Sequence, residues 1–281
     1  MTARRIATPL MTMVLLTLFA VFPALAAEPV LTIAIAGNER TFTRSVLLAR
    51  TDAVTVAIPH DVAYGRPMVY RAVPVGNLVA ADQLPRDSVL EAVATDGFVA
   101  QLRADVVCST DGNGAVAFLA VEPADAPWPP LPGKAVSAGP FYIVWVNPAS
   151  SGIRSEQWPY QVARLSSAES PAGRWPQLAV DAALPAADPV RAGQTLFVTQ
   201  CMTCHALNRA GSGSMGPDLN LPMNPTEYLQ PHALKRLIRD SRSVRVWSGQ
   251  QMPAFTEDML SDREIDLIIA YLAHMAGRKV E

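Results

Sequence analysis

Cys201-Met202-Thr203-Cys204-His205 places two thiols three residues apart with an imidazole directly after the second. At that spacing each thiol can add to one vinyl group of a porphyrin. The adjoining histidine then lies beneath the iron, so the pentapeptide reads as a haem c attachment site. A CxxC pair alone also serves as a redox dithiol or as half of a zinc site. The appended His205 and the lack of a second CxxC favour haem. Cys201 and Cys204 are the expected thioether residues, and His205 is the expected proximal iron ligand.

An electron carrier of this kind needs a second axial ligand. Met252, in Gln251-Met252-Pro253-Ala254-Phe255, is the leading candidate, with Met215, Met223 and His232 as rivals. A thioether opposite an imidazole raises the reduction potential, which suits electron transfer. The remaining methionines read as apolar filler. Pro217, in Gly216-Pro217-Asp218-Leu219, is expected to wall the histidine side of the haem.

Two helical patterns must position these residues. Gly193, Phe197 and Cys201 recur every four residues, which puts them on one helix face. The glycine lets another helix approach closely, and Phe197 packs between that helix and the macrocycle. Further on, Ser261-Asp262-Arg263-Glu264 is a capping box opening an apolar stripe of Ile265, Ile268, Ile269 and Leu272, with Tyr271 and Met275 beside it. Gly277 should end that helix.

With Gly193, Phe197, Cys201, Cys204, His205, Pro217, Met252 and Tyr271 on its pattern, the segment 189–281 resembles a class I cytochrome c. The resemblance implies a small all-α bundle around one covalent, low-spin haem c that shuttles single electrons between redox proteins. It does not say which proteins.

At 281 residues the chain is too long for that bundle alone, and two domains are expected. Arg4 and Arg5 precede the apolar run Leu10–Leu25, and Ala24-Leu25-Ala26 is a small-x-small cleavage site. Residues 1–26 therefore read as a secretory signal peptide cut between Ala26 and Ala27, with an uncleaved anchor as the alternative. The run is short of the ~20 apolar residues a span needs, and no later segment is long and apolar enough to cross a membrane. Export to an oxidising periplasm agrees with covalent haem attachment. Cys108 is left over and reads as a small buried apolar thiol.

A net charge of −2 argues against nucleic acid as a partner. Lys235, Arg236, Arg239, Arg242 and Arg245 nevertheless lie in one stretch opposed only by Asp240. On a helix from about Pro231, residues 235, 239 and 242 share a face. That face is either a docking patch for an acidic partner or a solvated surface.

Residues 27–165 read as a mostly β, α+β domain. The strand runs are 30–35, 54–58, 98–102, 115–121 and 141–146, with short helices at 43–49 and 75–80. The stretches Tyr70–Val75 leading into Leu78, Thr95-Asp96-Gly97-Phe98 and Gly139–Trp145 resemble a reduced sulfite-oxidase-type molybdopterin domain. That family's metal-ligating cysteine precedes the segment equivalent to 70–78. Here Cys108 lies on the wrong side, and His60 is the domain's lone histidine, so the resemblance implies a cofactor-free scaffold with no molybdopterin. Trp128, Tyr142, Trp145, Trp158 and Tyr160 suit a core more than a ligand site. His60-Asp61 near Tyr64 is weak evidence for catalysis. The small, polar and proline-containing stretch 166–188 reads as a linker, with Trp175 and Leu178 able to pack back on either domain.

The expected protein is an exported carrier of single electrons whose N-terminal domain docks a redox partner, and it is not expected to be an enzyme. The alternative is a two-domain oxidoreductase whose N-terminal domain binds a cofactor and oxidises a small substrate, with the haem as internal acceptor. A haem-based sensor would need an open or labile sixth site.

Overall fold

The computed structural model describes residues 27–79, 84–85, 87–110 and 112–281. The expected signal peptide, residues 1–26, lies outside them. A sheet-rich N-terminal region is followed by a helical C-terminal region.

Among the described residues nine strands form two sheets over one apolar core. In the first, β2 (Asn38–Thr43), β1 (Val30–Ile35), β9 (Val162–Ala168), β5 (Val89–Ala94) and β6 (Val99–Arg103) lie side by side, with β1 and β9 parallel and the rest antiparallel. In the second the order is β3 (Val54–Ile58), β4 (Met68–Pro74), β7 (Val116–Val121) and β8 (Phe141–Val146). Alternation in β1 turns Leu31, Ile33 and Ile35 inward. The strand β2 escaped the sequence reading because Asn38–Thr43 is almost wholly polar and holds its place by pairing along β1. The short helices α1 (Arg44–Leu48) and α2 (Val75–Val79) fall where expected, and Thr43 caps α1 through its side chain. A third, α3 (Ala104–Val107), follows β6 directly.

The edge strand β8 is a continuous apolar run, which is unusual for an edge. Its free side is covered by residues 157–161. Ile143 donates its N–H to Pro159 O at 3.0 Å, and Trp145 Nε1 donates to Gln157 O at 2.8 Å. The cover begins at Gln157, in a turn that packs against Phe197–Cys201.

The stretch expected to be a linker is ordered. Strand β9 runs through Ala168, α4 (Pro171–Arg174) follows, and Leu178 and Val180 are buried in the core of the helical region. Leu178 O accepts from Tyr271 Oη at 2.8 Å and from Gln194 Nε2 at 2.9 Å, which ties this segment to two helices. Burial of a small apolar group in a proline-containing stretch overrides its loop-like composition.

The helical region is built on α5 (Pro189–Leu196) and α8 (Asp262–Ala276), with α6 (Pro225–Tyr228) and α7 (Pro231–Arg239) closing it. The capping box at Ser261 and Glu264 and the end at Gly277 form as expected. Phe197 and Tyr271 pack with ring centroids 5.4 Å apart.

The domains are joined by polar contacts around the haem motif. Val99 N–H, at the start of β6, donates to Thr203 O at 3.1 Å. Glu91 Oε1 accepts from Gln101, Arg174 and Ser212 at 2.7, 2.8 and 2.9 Å. Arg154 pairs with Glu264, the same carboxylate that caps α8.

A methyl group at Gly193 would lie 2.0 Å from the carbonyl oxygen of Leu267 and 2.9 Å from Tyr271 Cβ. Gly193→Ala should therefore separate α5 from α8 and lower stability by about 2 kcal/mol or more. Urea unfolding of the two proteins checks this.

Candidate functional site

Cys201 is delivered by an irregular helix. After Leu196 the chain widens into a π turn over Phe197–Cys201, in which Met202 N–H donates to Phe197 O at 3.0 Å. The backbone bonding thus changes from i→i+4 to i→i+5 just before the cysteine motif. Phe197 itself is fully buried against Tyr271. Cys204 and His205 follow in tight turns, both donating backbone N–H to Cys201 O.

The chemistry of the two thiols separates the open readings. Burial pushes the Cys201 thiol up to about 12 and the Cys204 thiol up to about 11. A redox CxxC works through a cysteine whose pKa is lowered, and two thiols held neutral by burial do not fit that role. Among the described residues no group of three or more His, Cys, Asp or Glu converges as a metal site. A porphyrin needs only axial ligands from the protein, so one histidine and one further donor suffice.

His205 is oriented for that task. Its Nδ1 lies 2.8 Å from Pro217 O, and a carbonyl can only accept, so Nδ1 carries the proton and Nε2 keeps a free lone pair. Burial holds the imidazole below its ordinary pKa, which keeps it neutral and able to ligate. Gly216 packs flat on the ring, and a Cβ there would fall 2.4 Å from His205 Cε1.

The rivals for the second axial position separate by location. Met223 is 52% exposed and His232 is also exposed. Met215 belongs to the loop that stacks on His205, and its sulfur lies 3.8 Å from Cys204 Sγ. Met252 is half-buried and packs on the helical core with Cys201, Leu219, Leu229 and Met259. The Met252 loop is anchored by buried Ser241, which donates to Met252 O at 3.4 Å and accepts from Gln250 Nε2 at 2.7 Å.

Arg239 supports the same loop, which removes it from the expected basic face. Its guanidinium donates to Phe255 O and Leu260 O and pairs with Glu257 and Asp262. Lys235 pairs with Asp262 and Asp266. Arg242 and Arg245 remain exposed, next to Val246 and Trp247 at 75% and 49% exposure.

Sequence reasoning missed the scaffold that holds Pro217 against His205. Asp218 Oδ1 accepts the N–H groups of Asn208, Asn220 and Leu221, at 3.1, 2.8 and 3.0 Å. Buried Asn220 donates to Asn208 Oδ1 and to Met275 O, both at 2.8 Å. Buried Asn224 donates to Asn220 Oδ1 and Leu272 O. The ladder satisfies carbonyls at the end of α8 and locks the loop 206–224 to it. Three asparagines and an aspartate among prolines were its only sequence signal, and in sequence they read as turn residues.

In the N-terminal domain Asp61 is buried and accepts from Tyr70 Oη at 2.7 Å, Tyr142 Oη at 3.3 Å and Tyr64 N at 2.9 Å. Burial raises its pKa and those of the tyrosines. Its acceptor capacity is used by the core, and the His60-Asp61 pair reads as structural. Tyr142, Trp145 and Trp158 are likewise core residues. The Cys108 thiol is half-buried, and burial pushes it up to about 11.

Residues 188–272 match the family described as cytochrome c oxidase, cbb3-type, subunit III, over less than a third of the chain. No curated protein matches the chain. The match supports a C-terminal cytochrome c domain, a type of haem-containing electron-transfer module, which implies haem c and points to redox proteins as partners.

Two substitutions test the scaffold. Gly216→Ala should displace the His205 ring, and with the imidazole as haem ligand, as the motif predicts, visible bands should shift from low-spin toward high-spin. Asn220→Ala strips partners from buried carbonyls and should cost about 2 kcal/mol or more, measured by denaturant unfolding.

Proposed function

We propose that this chain is an exported carrier of single electrons. In this reading Cys201 and Cys204 attach one haem c through thioethers, and His205 and Met252 are its axial ligands. The haem supplies a one-electron ferric/ferrous couple. The protein's residues hold and shield it. Pro217 O keeps the His205 proton on Nδ1, Gly216 and Pro217 wall that side, and Ser241 and Arg239 hold the loop that carries Met252. Phe197 closes the interior against α8. The observation that carries the reading is the His205–Pro217 hydrogen bond, because it leaves Nε2 free to ligate directly after the Cys201–Cys204 pair in the chain.

The N-terminal domain is read as a cofactor-free relative of the sulfite-oxidase-type fold, acting as a rigid docking body. Support comes from its buried aromatic core and from the contacts that fasten it to the haem motif. Residues 1–26 are read as a signal peptide and the destination as the periplasm. In the described residues no helix is long and apolar enough to cross a membrane. The name of the matched family includes a cytochrome c oxidase, which makes a terminal oxidase a candidate downstream acceptor.

Protein purified from periplasm should carry one covalent haem, seen by haem staining on a denaturing gel, and the Cys201→Ala, Cys204→Ala double variant should lose the stain. Met252→Ala should lose the weak red-edge methionine band and show a lower potential, by a fraction of the ~0.8 V that axial ligands span. Stoichiometric molybdenum beside the haem would overturn the carrier reading and make the N-terminal domain an enzyme. A haem site unchanged by Met252→Ala would remove Met252 as a ligand.

A further inference from the structure

The N-terminal domain reaches the haem motif with one carboxylate. Residues Ser155–Gln157 form a single 3-10 turn packed against the π turn that ends in Cys201. The turn is fixed from three directions. Trp145 Nε1 donates to Gln157 O, Gln157 Oε1 accepts from Arg154 N at 2.9 Å, and Arg154 is ion-paired with Glu264 on α8. Glu156 sits in this turn, and its charge falls on both Cys201 and Cys204, raising each thiol's pKa.

Little else engages that carboxylate. Its hydrogen bond within the described residues is a 3.5 Å contact from Ser155 Oγ, at the outer limit of such bonds. The nearest cation in sequence, Arg154, is committed to Glu264. Other titratable groups on this side are Asp96, whose charge also reaches Cys204, and His60 and Asp258, which line an interdomain cleft of about 220 Å3 with Arg154 and Ser155.

We propose that Glu156 sets the reduction potential of the cytochrome on behalf of the N-terminal domain: a carboxylate held beside both attachment cysteines favours the oxidised site and links reduction to proton uptake. The inference rests on the haem c reading above. A negative charge near an iron that gains positive charge on oxidation stabilises the ferric form, and more strongly away from bulk water. Burial pushes the Glu156 carboxyl up to about 7, so it is charged above neutrality and neutral below. The potential should therefore be high at acid pH and fall as pH rises through that value. On reduction the site takes one electron from an external one-electron donor, and Glu156 takes one proton from solvent. No covalent bond to carbon or iron changes.

The test is a spectroelectrochemical titration of the full-length holoprotein between pH 5 and pH 9. In the wild type, reduction should become about ten-fold less favourable across that range, ~59 mV for a one-electron couple. Glu156→Gln should hold the acid-limb potential throughout, and Glu156→Asp should restore a slope with a displaced inflection. A flat wild-type profile overturns the proposal, as does a slope that persists in Glu156→Gln, which would come from another group. If Glu156→Gln does not load haem, an Asp variant whose inflection coincides with the wild type overturns it instead. Protein without covalent haem would fail the function reading. Loaded protein with unchanged Glu156→Gln potentials would fail this inference alone.

Discussion

The hydrogen bond between His205 Nδ1 and Pro217 O is the constraint around which the C-terminal region is arranged. It fixes which ring nitrogen is free and in which direction it points. To hold it, the loop 206–224 must stay in one conformation, and its few apolar anchors, Leu207, Ala210 and Leu219, do not reach all of it. The asparagine ladder through residues 208, 220 and 224 answers this by tying the loop to the last carbonyls of α8. Helix α8 is in turn seated on α5 by the absence of a side chain at Gly193. The supports at the two ends of this chain of contacts, Gly193 against α8 and the ladder on α8, join segments distant in sequence.

The docking of the two domains follows a similar logic. Three polar contacts, at Val99–Thr203, Glu91–Arg174–Ser212 and Arg154–Glu264, surround the cysteine motif. Glu91 and Glu264 each accept several hydrogen bonds, which offsets the cost of removing their charge from water. The cover over the β8 edge begins in the turn that faces Cys201. One device thus protects an exposed edge strand and brings the N-terminal domain to the cofactor site. That contact makes the domain a contributor to the site's electrostatics rather than a tethered passenger.

Much of the chemistry was legible from local pattern. Cys201, Cys204 and His205 are adjacent, so their spacing alone states a reaction. Strands 30–35, 54–58 and 141–146 and the capped helix at 262–276 were legible because alternation, helical period and capping are short-range signals. Strand β2 was not, since a polar hexapeptide forms a strand only when a partner is present. The π turn before Cys201 was not, because a four-residue recurrence looks the same whether or not the helix widens. Lys235 and Arg239 looked free because their acidic partners lie some twenty to thirty residues away.

By itself, then, the amino-acid sequence determined the haem motif, the two-region organisation and the capped terminal helix, since each depends on residues within a few positions of one another. Tertiary structure alone decided that 166–188 is an ordered bridge rather than a tether. It also decided which methionines pack on the core, with Met252 against it and Met223 in solvent, and what holds Pro217 to His205. The reason is physical. Burial of Leu178, the anchoring of Met252 by Ser241 and the placing of Glu156 beside Cys201 come from chain segments that meet only after folding.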